Sequence, residues 1–196
     1  MIDYNLIHQG IEHYSKWKYL RTEVPWLVPQ PISNITKPPD ASDYIVSSKN
    51  KVLIASGEQG FLYQYRKGFL PAGKFQTVTP CFRDEQFDEL HLKYFIKLEL
   101  IDTENVNQKS LLNMIHHEVL PFFISQFKDP KKLEVVKTVS NSDSNPVSFD
   151  ICYPNSNNEL VELGSYGIRH TTFLSWIYGT GIAEPRLSTL MQEVNK

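Results

Sequence analysis

The chain has 196 residues, a formal net charge of -2 and a pI near 6.3. This length suits one domain with a real core, and the weakly acidic balance gives no overall electrostatic footprint for nucleic acid. The sequence contains no basic segment followed by an apolar run at its start and no 18-residue apolar stretch, and its two cysteines are too few for a disulfide framework. We therefore expect a cytoplasmic protein without a membrane span, in which Cys81 and Cys152 are buried free thiols.

Residues 4–31 are predicted to form a helix followed by a short strand. Asp3 can cap a helix that begins near Tyr4. Its apolar positions fall on one stripe, formed by Ile7, Ile11, Tyr14 and Trp17. Such a stripe indicates a surface helix packed on a sheet. The strand covers residues 26–28 and ends at Pro29.

The next segment contains two short predicted strands and a second helix. The strands cover residues 44–46 and 51–55, and the helix runs from about residue 59 to residue 67. Ser56 is a good cap for this helix, and Glu58 is favourable in its first turn, where the helix dipole attracts negative charge.

Residues 77–101 form a predicted hairpin with a charged loop. Because side chains alternate along a strand, one face collects polar and aromatic groups. These are Thr77, Thr79, Cys81, Arg83, Glu85, Phe95, Lys97 and Glu99. The other face carries Ile96, Leu98 and Leu100 and suits a core. The polar face is either a solvated surface or a nucleotide site, since arginine can bind phosphate and a phenyl ring can stack on a base.

The second half of the chain alternates helices and strands. A helix is predicted over 108–127, where His116 and His117 have no metal-ligating partners at helical spacing and Pro121 introduces a kink. A strand follows at 133–139, and residues 147–153 and 159–165 form an antiparallel hairpin. We predict another helix over 170–178, then a Gly-Thr-Gly strand, then a last helix that starts near Pro185.

Four of these segments resemble the class II aminoacyl-tRNA synthetases. Phe82-Arg83-x-Glu85, a charged loop, His91 and Phe95 are similar to motif 2 of that family. The helix, strand and Pro29 near the start resemble motif 1, and Ser56-Gly57-Glu58 resembles the element that precedes motif 2. Gly179-x-Gly181-Ile182 followed by Arg186 resembles motif 3. The four segments occur in the family's order.

The resemblance implies an α+β fold, with an antiparallel β-sheet flanked by helices, and a single catalytic domain over residues 1–196 without an anticodon-binding domain. It implies that ATP is bound by Arg83, Glu85, His91, Phe95, Gly179, Gly181 and Arg186. Arg83 and Arg186 would be the catalytic residues, and Glu58 would receive the amino group of the substrate. Glu162 and Ser165 would hold Mg²⁺.

The implied function is ATP-dependent activation of an amino acid to an aminoacyl-adenylate by a ligase that forms a homodimer through residues 4–31. The acceptor stays open between a tRNA, a protein and a small molecule. A non-catalytic nucleotide-binding paralogue or accessory subunit is the main alternative. A third possibility is an enzyme that activates another carboxylate, as biotin and lipoate ligases do, although those families lack this pair of motifs.

Overall fold

A seven-stranded sheet organises the computed structural model, which describes residues 1–37, 42–47, 50–83, 94–139 and 147–195. The α-helices are α1 (Tyr4–Lys16), α2 (Gln30–Ser33), α3 (Gly57–Arg66), α4 (Gln108–Asn113), α5 (Leu120–Ile124) and α6 (Arg186–Val194). The strands are β1 (Leu20–Arg21), β2 (Leu27–Pro29), β3 (Ile45–Ser47), β4 (Lys51–Leu53), β5 (Lys74–Phe82), β6 (Tyr94–Asp102), β7 (Glu134–Val139), β8 (Val147–Pro154), β9 (Leu160–His170) and β10 (Ser175–Glu184). Glu85 and His91, both predicted ATP ligands, lie outside the described residues.

The large sheet has the order β1-β5-β6-β10-β9-β8-β7, and all its pairs are antiparallel except β1 with β5. A smaller antiparallel sheet has the order β2-β4-β3. The predicted α+β class, with an antiparallel sheet flanked by helices, is therefore confirmed. The predicted hairpins 77–101 and 147–165 are confirmed as β5–β6 and β8–β9.

One face of the large sheet is covered by α1, α6 and the helical segment 108–124, which enclose the main apolar core. Helix α1 lies so close to the sheet that a Cβ on Gly10 would be 2.4 Å from Ile182. Ile7 and Tyr14 of the predicted stripe are buried there, but Trp17 is not: the helix ends at Lys16, and Trp17 is 40% exposed. Ile7 and Tyr14 of the stripe are thus covered by this chain's own sheet.

The opposite face of the sheet packs against α3 and the small sheet. Phe75, Ile101 and Trp176 point from the large sheet into this second core, and Phe61 and Leu62 of α3 cover them. Ser56 caps α3 as predicted, because its hydroxyl accepts a hydrogen bond from the backbone N–H of Glu58. This face holds the polar side of the β5–β6 hairpin.

The helix predicted over 170–178 is wrong. These residues form the turn and the first half of β10 in a long β9–β10 hairpin, with Arg169 opposite Trp176 and Gly167 opposite Tyr178. Thr171 closes the turn, because its backbone N–H donates to the carbonyl oxygen of Leu174 and its hydroxyl accepts from the N–H of Leu174. Alternation of side chains between the two sheet faces, and not helical periodicity, is the pattern that this segment follows.

The helical segment predicted over 108–127 consists of α4, a π-helical turn (Met114–Val119) and α5. Pro121 lies in the first turn of α5, and the widened turn comes directly before it, as expected where a proline removes a backbone donor. His116 and His117 are exposed. Cys81 and Cys152 are buried free thiols, as predicted. Among the described residues, no helix has the length and apolar character needed to cross a membrane.

Candidate functional site

A cavity of about 270 Å³ lies on the α3 side of the large sheet. It is lined by Thr36, Lys37, Ser42, Ala55, Ser56, Glu58, Gln59, Arg83, Lys97, Glu99, Leu100, Glu162, Ser165, Arg169, Tyr178, Gly179 and Thr180. The predicted residues Arg83, Glu58, Glu162, Ser165 and Gly179 are therefore brought together in one place. They come from four different parts of the chain, since Glu162 and Ser165 both lie on β9.

Arg83 lies at the end of the cavity where β5 stops. Its Nε donates to the carbonyl oxygen of Ala55 at 3.3 Å, and its guanidinium carbon is 5.1 Å from the centre of the Phe95 ring. The pairing of Cys81 with Phe95 brings arginine and ring to the same sheet face. Arg83 and Phe95 are therefore neighbours, as predicted from the alternation of side chains. The guanidinium covers a face of the ring that the resemblance assigns to ATP binding.

Lys97 and Glu99 form a buried ion pair in the floor of the cavity, with 2.8 Å between Nζ and Oε1. They are 9% and 5% exposed, so the polar face of the hairpin is not a solvated surface. The Glu99 carboxylate also accepts from the Ser56 hydroxyl and the Gly57 N–H. Burial alone would raise the pKa of Glu99, but Lys97 and these donors outweigh burial and lower it. Glu99 thus fixes the start of α3 to the sheet.

Glu58 lies in the first turn of α3 and is 7% exposed. One of its carboxylate oxygens accepts from Arg169 Nη1 at 2.5 Å, and the other accepts from Trp176 Nε1 at 2.6 Å. The residue predicted to receive an amino group is therefore already fixed by two donors. Because each carboxylate oxygen can accept two hydrogen bonds, Glu58 retains capacity for a further donor from the cavity.

Arg169 is a site residue that the sequence analysis missed. Its guanidinium carbon lies 4.2 Å from the centre of the Tyr178 ring, a distance typical of a cation–π contact. Gly167 makes this possible, since a Cβ there would be 2.6 Å from the Tyr178 hydroxyl. The sequence did contain a signal for this hairpin: Gly167 and Arg169 alternate on one strand, and Trp176 and Tyr178 alternate on the strand that pairs with it. The incorrect helix over 170–178 concealed it.

Glu162 and Ser165 share the cavity face although they are three residues apart. A β-bulge in β9 explains this: Cys152 pairs with Glu162, Ile151 pairs with Gly164, and Leu163 is the extra residue. Asp150 pairs with Ser165 and was not predicted. Burial raises the pKa of Asp150 and the nearby charge of Glu162 raises it further, while a hydrogen bond from Ser165 opposes the shift.

The fold is similar to that of several solved synthetase structures. At a TM-score of 0.74, 97% of the chain superposes on the cytoplasmic Serine-tRNA ligase of Naegleria fowleri in complex with AMP, at 17% identity. The seryl-tRNA synthetase of Pyrococcus horikoshii complexed with ATP superposes on 99% of the chain at a TM-score of 0.70 and 14% identity. The pyrrolysyl-tRNA synthetase PylSc of Desulfitobacterium hafniense superposes on 96% of the chain at a TM-score of 0.71 and 13% identity. The chain has a class II aminoacyl-tRNA synthetase-like core fold.

The chain spans 53% and 51% of the two seryl enzymes and 66% of PylSc, so the class II fold is shared over part of their length. Identities below 20% show the fold alone. No protein-family model matches the sequence, and comparison with curated proteins gives no match either.

Arg186 lies apart from Gly179 and Gly181, the two glycines of the segment that resembles motif 3. Arg186 is the first residue of α6, and its Nη1 donates to the Glu162 carbonyl at 3.1 Å and lies 3.7 Å from Oε1 of the same residue. Arg186 thus contacts a residue of the cavity wall without lining the cavity itself.

The packing gives a reason for glycine at positions 179 and 181 that is separate from the predicted binding of ATP. A Cβ on Gly179 would lie 2.8 Å from the ring of Tyr166, and one on Gly181 would lie 2.7 Å from the ring of Tyr14. Both directions point to the helix-covered face, away from the cavity. Gly181 is also the extra residue of a bulge between Thr180 and Ile182.

Proposed function

We propose that this protein is an adenylate-forming ligase, which activates an amino acid with ATP. The observation that carries the proposal is the convergence of Arg83, Glu58, Glu162 and Ser165 on one cavity in a fold shared with structures complexed with AMP and ATP. In the proposed reaction, an oxygen of the substrate carboxylate forms a bond to the α-phosphorus. The bond from that phosphorus to pyrophosphate breaks, which yields the acyl-adenylate.

Little covalent chemistry falls on the protein in such a step, so positioning and charge stabilisation are the main contributions. Arg83 would bind the substrate carboxylate and the α-phosphate with its planar set of donors. For adenine to stack on Phe95 as the motif implies, the guanidinium has to leave the ring face that it now covers. Binding of the phosphates supplies a reason for that movement. Glu85 and His91 are proposed to contact the nucleotide, as is Arg186.

A magnesium ion fits the donors on β8 and β9. Burial and, as a smaller cause, the nearby charge of Glu162 raise the pKa of Asp150, and a divalent cation would offset both the burial and the repulsion. The described residues contain no group of three or more His, Cys, Asp or Glu side chains that could hold a metal ion. Mg²⁺ is commonly bound by one or two carboxylates together with substrate phosphates, and Asp150 and Glu162 supply two carboxylates. We propose Glu162, Ser165 and Asp150 as the residues that hold it. The ion would neutralise phosphate charge.

We also propose a homodimer through residues 4–31. Ile7 and Tyr14 are covered within the chain, so the support comes from other apolar side chains of this segment. The large exposed ones are Tyr4, Trp17, Leu20, Trp26 and Leu27. Exposed large apolar side chains are typical of an interaction surface when they form one patch. Light scattering at micromolar concentration should give twice the chain mass of 22.7 kDa, and Trp26→Asp should shift the mass toward the monomer. A monomeric wild type would contradict this proposal.

The free thiols of Cys81 and Cys152 favour a reducing compartment, and we propose the cytoplasm. Transfer of the acyl group to a tRNA or to another acceptor is a separate step, and the cavity residues support only the activation.

The experiment that tests the proposed function combines calorimetry with pyrophosphate exchange. The wild type should bind ATP with Mg²⁺ and exchange labelled pyrophosphate in the presence of at least one amino acid. Arg83→Ala should weaken ATP binding by about 10–100-fold, the loss expected for a charge-assisted contact. Arg66→Ala, which removes an exposed arginine of α3, is the matched control. ATP binding without exchange would favour the non-catalytic alternative, and absence of ATP binding would refute the proposal.

A further inference from the structure

Strand β6 carries a buried lysine, Lys97, between two parts of the candidate site. Phe95, Lys97 and Glu99 alternate along one face of this strand, at intervals of about 7 Å. On one side of Lys97, the centre of the Phe95 ring lies 5.1 Å from the guanidinium carbon of Arg83. On the other side, Glu99 accepts a hydrogen bond from the N–H of Gly57, at the start of α3. Lys97 therefore lies between the arginine and the first turn of α3.

The reacting carboxylate of the substrate belongs in this same place if the proposed function, on which this inference rests, is correct. Glu58, in the first turn of α3, would hold the ammonium group of the amino acid, and Arg83 would hold the α-phosphate. The ammonium and the carboxylate of an α-amino acid are attached to one carbon, so the carboxylate lies close to Glu58. It must also reach the α-phosphorus. Lys97 lines the cavity together with Glu58 and Arg83 and is a cation between them.

The ammonium group of Lys97 has donors left for such an anion. A lysine carries three N–H donors. Among the described residues, Lys97 contacts one acceptor, Oε1 of Glu99, at 2.8 Å from Nζ. The Lys97 side chain is only 11% exposed, so its remaining donors are largely removed from bulk water. A buried donor without a partner is costly, and a carboxylate oxygen in the cavity would accept from it.

The Glu99 carboxylate does not depend on Lys97 alone for its stabilisation. It also accepts from the Ser56 hydroxyl and the Gly57 N–H, where the α3 dipole places partial positive charge. Although burial raises the pKa of Glu99, Lys97 and these two donors together lower it. Because several groups share the stabilisation of Glu99, Lys97 can share its own charge with a second carboxylate.

We propose that Lys97 is a second catalytic cation, which binds the reacting carboxylate of the substrate beside Arg83. The carboxylate and the α-phosphate are both anions, so they repel one another as the attacking oxygen approaches phosphorus. A second cation at the carboxylate reduces that repulsion in the substrate complex and in the transition state. The oxygen–phosphorus bond forms, the bond to pyrophosphate breaks with its electron pair on pyrophosphate, and Lys97 keeps its proton throughout.

Calorimetry with the twenty L-amino acids identifies the tightest ligand, and the amino alcohol of that ligand is the probe for the carboxylate. The amino alcohol keeps the ammonium group and the side chain but has a hydroxymethyl group in place of the carboxylate. Wild-type protein should bind the amino acid about 100-fold more tightly, and Lys97→Met should reduce this preference by about 10-fold or more. The affinity for ATP alone should not change. Lys137→Met, at an exposed position of β7, is the matched control and should keep the preference.

Glu99→Gln separates binding of the carboxylate from support of α3. This variant breaks the ion pair but retains Lys97, so the preference for the amino acid should be retained. If Lys97→Met does not fold, the double variant Lys97→Met/Glu99→Gln leaves no unpaired carboxylate and is compared with Glu99→Gln. Equal losses of affinity for the amino acid and its amino alcohol would show that Lys97 only holds Glu99, and would overturn the inference. Weaker binding of ATP with an unchanged preference would overturn it too.

Pyrophosphate exchange distinguishes failure of this inference from failure of the proposed function. Exchange by the wild type, together with an unchanged preference in Lys97→Met, would refute the role of Lys97 alone. A Lys97-dependent preference for the carboxylate without ATP binding or exchange would refute the proposed function alone. Absence of binding by all twenty amino acids would refute both.

Discussion

Two parts of the cavity wall, the Arg83 end and the Arg169 end, are built differently. At the Arg83 end, the arginine emerges from a strand terminus, and its hydrogen bond to the Ala55 carbonyl measures 3.3 Å. At the Arg169 end, Glu58 is bound at 2.5 and 2.6 Å by two side chains from the β9–β10 hairpin. The first end can adjust to a ligand. The second joins α3 to the sheet, so its binding groups are also part of what stabilises the fold.

The largest expected effect comes from breaking the Glu58 contacts. Glu58→Ala removes the carboxylate that binds both Arg169 and Trp176, and we expect a loss of about 3 kcal/mol in the free energy of unfolding. This lies at the low end of the range for a broken buried ion pair, because cavity water can reach Arg169. Urea denaturation measures it. Arg83→Ala should cost less than Glu58→Ala, because the Arg83 side chain is only half-buried and its hydrogen bond to Ala55 is long.

Glu58→Gln is the matched control, since the amide keeps the size of the side chain and an acceptor oxygen. Its cost should fall between those of the two alanine variants. Equal losses for Glu58→Ala and Arg83→Ala would show that the two ends do not differ in their contribution to stability.

A smaller effect is expected at Glu99, which lies between the two ends. Its pKa is lowered below the ordinary 4.5 in the folded protein. The folded state therefore binds fewer protons than the unfolded state, and this stabilisation is present above pH 4.5 and lost as pH falls through the folded-state pKa. Glu99→Gln should cost roughly 2 kcal/mol at pH 7, the value of charge-assisted hydrogen bonds. The difference from wild type should shrink below about pH 4.5.

Denaturation at pH 7, 5, 4 and 3.5 measures this dependence. Glu12→Gln, at an exposed position of α1, should follow the wild-type curve at every pH. A Glu99→Gln curve parallel to the wild type would mean that Glu99 contributes through shape and not through charge.

The Arg83 end was predictable from the sequence because its residues are close together in two alternating strands. Arg83, Phe95 and Lys97 were assigned to one face, and the register confirms that assignment. The Arg169 end was not predicted, because the turn Thr171–Leu174 contains no glycine, proline, asparagine or aspartate, the residues that are typical of hairpin turns. Without that turn, Arg169 and Tyr178 could not be placed opposite one another.

Packing between elements was the other part that the sequence did not reveal. The glycines of β10 were correctly identified as unusual, yet the groups that exclude a Cβ there are Tyr14 and Tyr166. Both tyrosines come from other elements of the fold. Periodicity describes one element at a time, so it cannot show which side chain of a neighbour fills the space above a glycine.

The extra residue in β9 makes the spatial relation of Glu162 and Ser165 depend on chain length rather than on side-chain chemistry. Between them, Leu163 and Gly164 serve as a spacer that converts an odd separation into a shared orientation. Removing one of these two residues while the register beyond Ser165 is kept would restore strict alternation, and Glu162 would then sit two residues before Ser165 without the bend. The strand would lose the local twist that a bulge produces, and with it the angle at which the two oxygen donors converge.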